Sequence, residues 1–490
     1  MLKFLEIFSG QDFVITKMIF QRSLAFIYLI GFLILFNQGK ALLGENGILP
    51  AKIFLAKIKF AQSPSLFFLN GSDTALMLMS FFGVVLSLLA LFGITERFGF
   101  TVSIVSWFLL WVVYLSFVNI GQTWYGYGWE SMLLETGFLA IFLGPANVAP
   151  PVLVIWLLRW VCFRNMFGAG MIKLRGDSCW KDLSCMYYFY ETQPVPNPLS
   201  LYFHRLPKII HRGSVLVTYF AEIVAPLGLL IPIGAVSAIC GLIVIGFQGM
   251  IVISGNLAWL NYISIILVIP CFNDQFLSKL HFSIPNGILP TPVPHLWASY
   301  LLAAFVCYRS IGPVFNLFSD RQIMNRSFDP LHLVNTYGAF GSVTKDRNEL
   351  VMLGTMDANP ESAEWKVYEF KGKPTDPMKR PAWMSPYHWR IDWQMWFAAF
   401  GDYRYSPWIL NFIAKLLVAD KEVLGLIGSD PFKGERPKWI KVDFYQYHFQ
   451  DPGKEGWWKR RYKGEWLPPL NLENESYRDI LRENGWIKSE

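Results

Sequence analysis

The sequence predicts a multi-pass α-helical membrane protein that carries a C-terminal soluble, β-rich (α+β) domain. Three observations predict it. The 490 residues are 53% hydrophobic and only 16% charged, whereas a soluble domain carries about 25% charged residues. Apolar runs approaching the roughly 20 residues that cross a bilayer recur from Phe20 to Val314 and then stop. Twenty Trp and 21 Tyr suit broad membrane interfaces, because amphipathic rings settle at headgroup level. The expected organisation is a polytopic membrane domain over 1–318, with eight or nine helical segments and a polar loop at 167–212, then a soluble domain over 319–490.

The spans follow from the apolar runs. They are expected at Phe20–Phe36, Ala75–Ile94, Thr101–Ile120, Pro151–Met166, Ser214–Ile233, Val236–Ser254, Leu257–Phe272 and Leu296–Val314. Ser131–Leu143 is a weaker ninth segment, short and interrupted by Glu135. The opening MLKFLEIFSGQDFVITK has no long apolar run ending in a small-residue cleavage site. The first span is therefore expected to serve as the targeting address. Beyond Phe318 acidic and basic residues nearly balance and no run reaches span length. Leu350–Met356, Glu364–Phe370 and Trp439–Phe449 have the composition or alternation of strands. Pro407–Ile427 has one apolar stripe at helical spacing, and Tyr477–Gly485 is expected to form a terminal helix.

Ionisable groups inside apolar runs are the first candidate site. Glu130, Glu135, Arg159, Arg164, Lys173 and Glu222 lie in or beside the expected spans. A charge at mid-bilayer costs about 2.5–3.5 kcal/mol on insertion scales, so such groups pair or line a cavity. Pairing of Glu135 with Arg159 or Arg164 is expected, either to fix helix packing or to build a catalytic or proton-relay cavity.

The loop RGDSCWKDLSCMYYFYETQPVPNPLS is the second. Cys179 and Cys185 are close enough in sequence for a small-loop disulfide, and equally consistent with two free thiols. Their spacing fits no zinc pattern, and neither a metal nor a cofactor is expected. Pro194, Pro196 and Pro198 stiffen the chain beside a tyrosine-rich run, which favours a preorganised contact surface. The loop from Arg164 to Arg212 holds seven Lys and Arg. By the positive-inside rule it reads as cytoplasmic, with the C-terminal domain on the same side. The third candidate is PYHWRIDWQMW. Arg390, Asp392, Trp393 and Trp396 there form either a binding patch or a core capped by an ion pair. No basic run suggests nucleic acid. Asn-x-Ser sequons stand at Asn70, Asn325 and Asn474.

Several long motifs together resemble one family. YGYGWESMLLETGFL at 125–139 resembles the W-E-x-x-L-L-E-T-G-F motif of the lipase maturation factors. GMIKLRGD at 170–177, Cys179-Trp180 and YETQP at 190–194 are similar to that family's central loop. Phe247-Gln248 and Ser254-Gly255-Asn256 fit its later spans, and RIDWQMWFAA at 390–399 with Asp430-Pro431-Phe432 is similar to its C-terminal domain. The resemblance implies a chaperone-like protein of the endoplasmic reticulum membrane. It would help secreted lipases fold and assemble, with a lumenal C-terminal domain that contacts clients. In a bacterial host the cytoplasmic membrane takes the place of the reticulum. The partners implied are the bilayer and secreted client proteins. Arg175, Asp177, Cys179, Trp180, Cys185, Tyr190, Glu191, Gln193, Pro194 and Asn197 are then the candidate contact or redox loop.

Common enzyme signatures are absent: there is no G-x-S-x-G, H-E-x-x-H or Walker A motif. The expectation is a maturation factor with no catalytic residue set. The alternative is an integral membrane enzyme acting on a lipid or protein through its intramembrane carboxylates.

Overall fold

The computed structural model describes residues 10–282 and 286–487; the reading of the opening segment falls largely outside them. Seven of the helices among these residues are long and apolar enough to cross a membrane. In chain order, with two shorter helices included, the bundle is α1 (Val14–Leu43), α2 (Asp73–Leu91), α3 (Phe100–Ile120), α4 (Gly128–Ala140), α5 (Val152–Arg175), α6 (Lys208–Leu229), α7 (Gly234–Ser254), α8 (Leu260–Cys271) and α9 (Val293–Phe318).

Hydrogen bonds between loops sort the chain onto two ends. At the distal end Gly10 N donates to Pro150 O (2.8 Å), Ala149 N to Leu289 O (2.9 Å) and Lys17 Nζ to Pro145 O (2.5 Å). Asp274 caps the start of α1 there, accepting from Val14 N at 2.7 Å. At the proximal end the chain beyond Phe318 docks on other loops. Asn119 Nδ2 donates to Pro330 O (3.0 Å), Gln38 Nε2 to His388 O (2.9 Å) and Asn411 Nδ2 to Ile48 O (2.7 Å). α1 thus starts distally, and the sheet domain sits proximally.

The weak segment Ser131–Leu143 and the expected span Leu257–Phe272 run from one end to the other as α4 and α8. Among the described residues the bundle therefore has these nine helical segments, seven of span length. At 1.5 Å per residue the 13 residues of α4 reach about 20 Å, short of a hydrocarbon core of about 30 Å. α8 is shorter still. Both are enclosed by protein, and their flanks are buried: Trp124 and Tyr125 in a 3-10 turn before α4, Leu143 after it, and Leu257 and Ala258 before α8. Irregular backbone at membrane depth is tolerated only in such enclosure.

Local chemistry explains other boundaries. Ser72 caps α2 through Oγ, which accepts from Ala75 N (3.2 Å). α6 widens into a π-turn at Phe220–Val224 just before Pro226, whose ring nitrogen has no hydrogen to donate. The helices enter further into the expected polar loop than 167–212 allows, because α5 runs to Arg175 and α6 starts at Lys208.

The C-terminal region is built on a four-stranded antiparallel sheet in the order β2-β1-β3-β4. Its strands are β1 (Arg347–Thr355), β2 (Lys366–Val367), β3 (Trp439–Phe449) and β4 (Trp458–Leu470). β3 has the limits that alternation predicts. β2 keeps only two of the seven residues expected at Glu364–Phe370, pairing Leu353 with Val367 and Gly354 with Lys366. The expected helix Pro407–Ile427 is two helices, α11 (Trp408–Leu417) and α12 (Lys421–Leu424), because Ala419 takes a left-handed turn at φ 52°. α10 (Arg390–Ala398) precedes them and α13 (Glu475–Glu483) ends the domain. β4 is an edge strand, and its Lys459, Arg460, Arg461 and Lys463 place charge where an exposed edge would otherwise invite pairing.

Candidate functional site

The loop between α5 and α6 is fixed by the sheet domain rather than free. Short helices at Ser178–Lys181, Met186–Thr192 and Ser200–His204 shape it. Cys179 and Cys185 form a disulfide. Arg175 Nη1 donates to Leu317 O and Gln322 Oε1, both at 2.8 Å. Asp177 accepts from Val343 N at 2.8 Å, and Trp180 Nε1 donates to Phe340 O at 3.0 Å. Glu191 accepts from Phe449 N (2.6 Å) and meets His448 Nδ1 (3.0 Å). Gln193 Nε2 donates to Ser254 O and Ser200 Oγ, both at 2.9 Å. Asn197 accepts from Leu199 N (2.9 Å) and Ser200 N (3.0 Å), ending the proline stretch in a turn. Trp180 and Tyr190 are buried. The expected contact surface is instead largely an internal packing surface.

Arg347, which the sequence reading missed, organises this loop. Fully buried on β1, it donates to the carbonyls of Glu191 (2.9 Å), Gln193 (2.5 Å) and Pro194 (2.9 Å) and pairs with Glu349 (2.5 Å). Lys373 meets the other oxygen of Glu349 at 3.0 Å. The signal was present: Arg347 and Glu349, two apart, share one face of an otherwise apolar strand.

The intramembrane charges are paired almost throughout. Glu135 pairs with Arg164, not Arg159. Its Oε2 also accepts from Tyr337 Oη (2.6 Å) and from Asn335 N and Nδ2 (3.1 Å each). Lys173 Nζ binds both oxygens of Glu222, at 2.8 and 2.6 Å. Arg159 donates to Pro270 O (2.8 Å) and lies over the Trp156 ring. Glu130 accepts from Tyr114 Oη (2.5 Å) and from Arg390 Nη1 (2.6 Å) of the sheet domain. Glu130, Glu135 and Glu222 therefore each hold a cation.

The expected Arg390–Asp392 ion pair does not form. Arg390 reaches down to Glu130 and to Trp124 O (2.7 Å), its guanidinium 3.7 Å from the centre of the Tyr125 ring. Asp392 instead accepts from Gly372 N (2.6 Å) and Lys373 N (2.9 Å). Burial raises its carboxyl above the ordinary range, against those two bonds. Helical geometry separates the two: residues two apart point to different sides of α10. Trp393 is buried against Trp129 (centroids 5.1 Å) and His388 (5.3 Å). Burial, with Arg390 nearby, holds His388 neutral, well below its ordinary value. Trp396 is half-buried against Phe400 (4.5 Å). It lines an apolar recess of about 240 Å³ with Phe189, Phe340 and Val343; Phe397 and Tyr405, close by in sequence, are exposed.

These contacts define a class: a polytopic membrane protein whose sheet domain is keyed into one end of the bundle by buried charges. The description "Lipase maturation factor transmembrane domain" matches residues 15–279, and "Lipase maturation factor C-terminal domain" matches 333–468. The chain is 42% identical to Lipase maturation factor 1 of Mus musculus, over 94% of this chain and 88% of that protein. It is 40% identical to Lipase maturation factor 1 of Homo sapiens, over 97% and 90%. Identity to Lipase maturation factor 2 of Xenopus tropicalis is 27%, over 95% and 84%. The chain belongs to the lipase maturation factor family. No solved structure matches it.

Proposed function

We propose that this protein is a membrane-bound, chaperone-like maturation factor that helps secreted proteins, lipases first, to fold, assemble or be secreted. The observation that carries the reading is its kinship, through both membrane bundle and sheet domain, with proteins named lipase maturation factors. The Cys179–Cys185 disulfide supports placing the proximal end in an oxidising compartment. That is the lumen of the endoplasmic reticulum, or the outer side of the cytoplasmic membrane in a bacterial host. The aromatic ridge of Trp396, Phe397, Phe400 and Tyr405 is the client-facing surface on this reading, with the loop of Trp180 and Tyr190 as its support.

The test removes the gene from its own host and measures secreted lipase activity per unit of lipase protein. Specific activity should fall and return with the wild-type gene. Unchanged specific activity for every secreted lipase overturns the proposal.

A further inference from the structure

A cavity of about 610 Å³ lies between α5, α6, α7 and α8, beneath the disulfide-closed loop. That size falls within the roughly 300–1,000 Å³ of small-molecule sites. Its walls are mostly apolar, from Met166, Phe189, Val217, Phe247 and Ile251 among others. Several polar groups also line it. Asn261 Nδ2 donates to Gln248 Oε1 (2.5 Å), Asn165 Nδ2 to Ser264 Oγ (2.8 Å), and the Lys173–Glu222 pair closes the wall.

The opening is sideways. Val217 on α6 and Leu242 and Met250 on α7 line the cavity and are themselves exposed. Both helices are of membrane-crossing length and composition, so hydrocarbon is the medium at the mouth. Two glycines keep it open. A Cβ at Gly213 on α6 or at Gly246 on α7 would meet nothing within 4 Å, and both residues line the cavity. Gly170 on α5, by contrast, marks close helix contact: a Cβ there would stand 2.5 Å from Ile223 Cγ1.

We infer that this cavity is a lateral lipid site that takes one acyl chain of a bilayer phospholipid. The chain enters between α6 and α7 and lies along Val217, Phe247 and Ile251. The site goes beyond the maturation reading and stands or falls separately from it.

The full-length protein, in membranes containing a phosphatidylcholine with a photoactivatable diazirine in its acyl chain, tests this. Crosslinked peptides are mapped by mass spectrometry. Label should concentrate on the 210–221 and 242–251 segments, above the lipid-facing residues Leu78, Phe81 and Phe82 of α2, which serve as reference. G213L and G246L add a side chain where the new Cβ meets nothing within 4 Å. Each should lower cavity labelling by about tenfold, the factor that about 1.4 kcal/mol represents, and leave α2 labelling unchanged. Even labelling of all lipid-facing helices, or cavity labelling indifferent to both variants, overturns the proposal. Loss of label on adding a client lipase, with no effect of G213L or G246L, overturns it in favour of a peptide occupant.

Discussion

Arg164 and Glu135 are each 1% exposed at the side chain, so neither can lose its partner cheaply. R164M leaves Glu135 charged and unpaired, and stability should fall by about 3–5 kcal/mol. E135L/R164M removes both charges and should recover most of the loss, as exchange of a buried pair for apolar side chains is often neutral. Thermal unfolding in detergent separates the two, and an equal loss in both overturns the pairing. His332 makes a second residue-level prediction. Burial holds it down at about 4, against an ordinary 6.5, with Asp329 opposing weakly. Below pH 6.5 the unfolded chain binds a proton that the folded ring refuses, so stability is full above that value and falls as the pH drops toward 4. H332Q should flatten the decline between about pH 7 and pH 5, read from unfolding midpoints. A slope equal to wild type assigns the acid sensitivity elsewhere. That Glu135 needs a cation was legible from the sequence, because hydrocarbon penalises lone charge. Asn335 and Tyr337 as its other partners were not, since they lie two hundred residues away with ordinary polar surroundings.

At the scale of elements, α5 meets the chain after α9 through a glycine. A Cβ at Gly168 would lie 2.3 Å from the carbonyl oxygen of Tyr337. G168A should cost about 1–3 kcal/mol by overpacking. G249A, whose Cβ meets nothing, should be close to neutral; similar losses in both would show that helix packing does not set the spacing. The disulfide loop gives another test. Opening Cys179–Cys185 should cost about 2 kcal/mol in a loop this short. It should also speed tryptic cleavage at exposed Lys181, while reduced and oxidised chains cleaved alike would leave the bond without a structural role. Element positions read well from the sequence where one medium surrounds a segment, as in α2, α7 and β3. They read less well where protein replaces lipid: α4 gives only a weak hydropathy signal because it is short and its ends are sheltered, whereas α8 was legible as a span at Leu257–Phe272. The split of α11 from α12 was hidden for a different reason, since nothing in the residue type of Ala419 announces a left-handed backbone.

For the whole molecule, the sequons at Asn70, Asn325 and Asn474 all belong to the proximal end, and all three side chains are exposed. If that end is lumenal, the chain made in a eukaryotic host should gain glycans, seen as a mobility shift lost on enzymatic deglycosylation. The triple Asn→Gln variant should show none. A wild-type chain that never shifts argues for the opposite orientation, which the positive-inside count favours. Orientation was the part of the organisation least legible in the sequence, because the one weak segment, Ser131–Leu143, decides its parity. The Glu130–Arg390 bond has a consequence in time. The two residues are 260 positions apart, so the carboxylate of α4 is made long before its counter-charge leaves the ribosome. Until then α4 is short and acidic, a poor candidate for stable insertion, and the bundle is incomplete. Completion of the membrane half thus waits on translation of the other half. A nascent chain stopped before Arg390 leaves Glu130 without its cation, with the Tyr114 hydroxyl as a remaining side-chain partner.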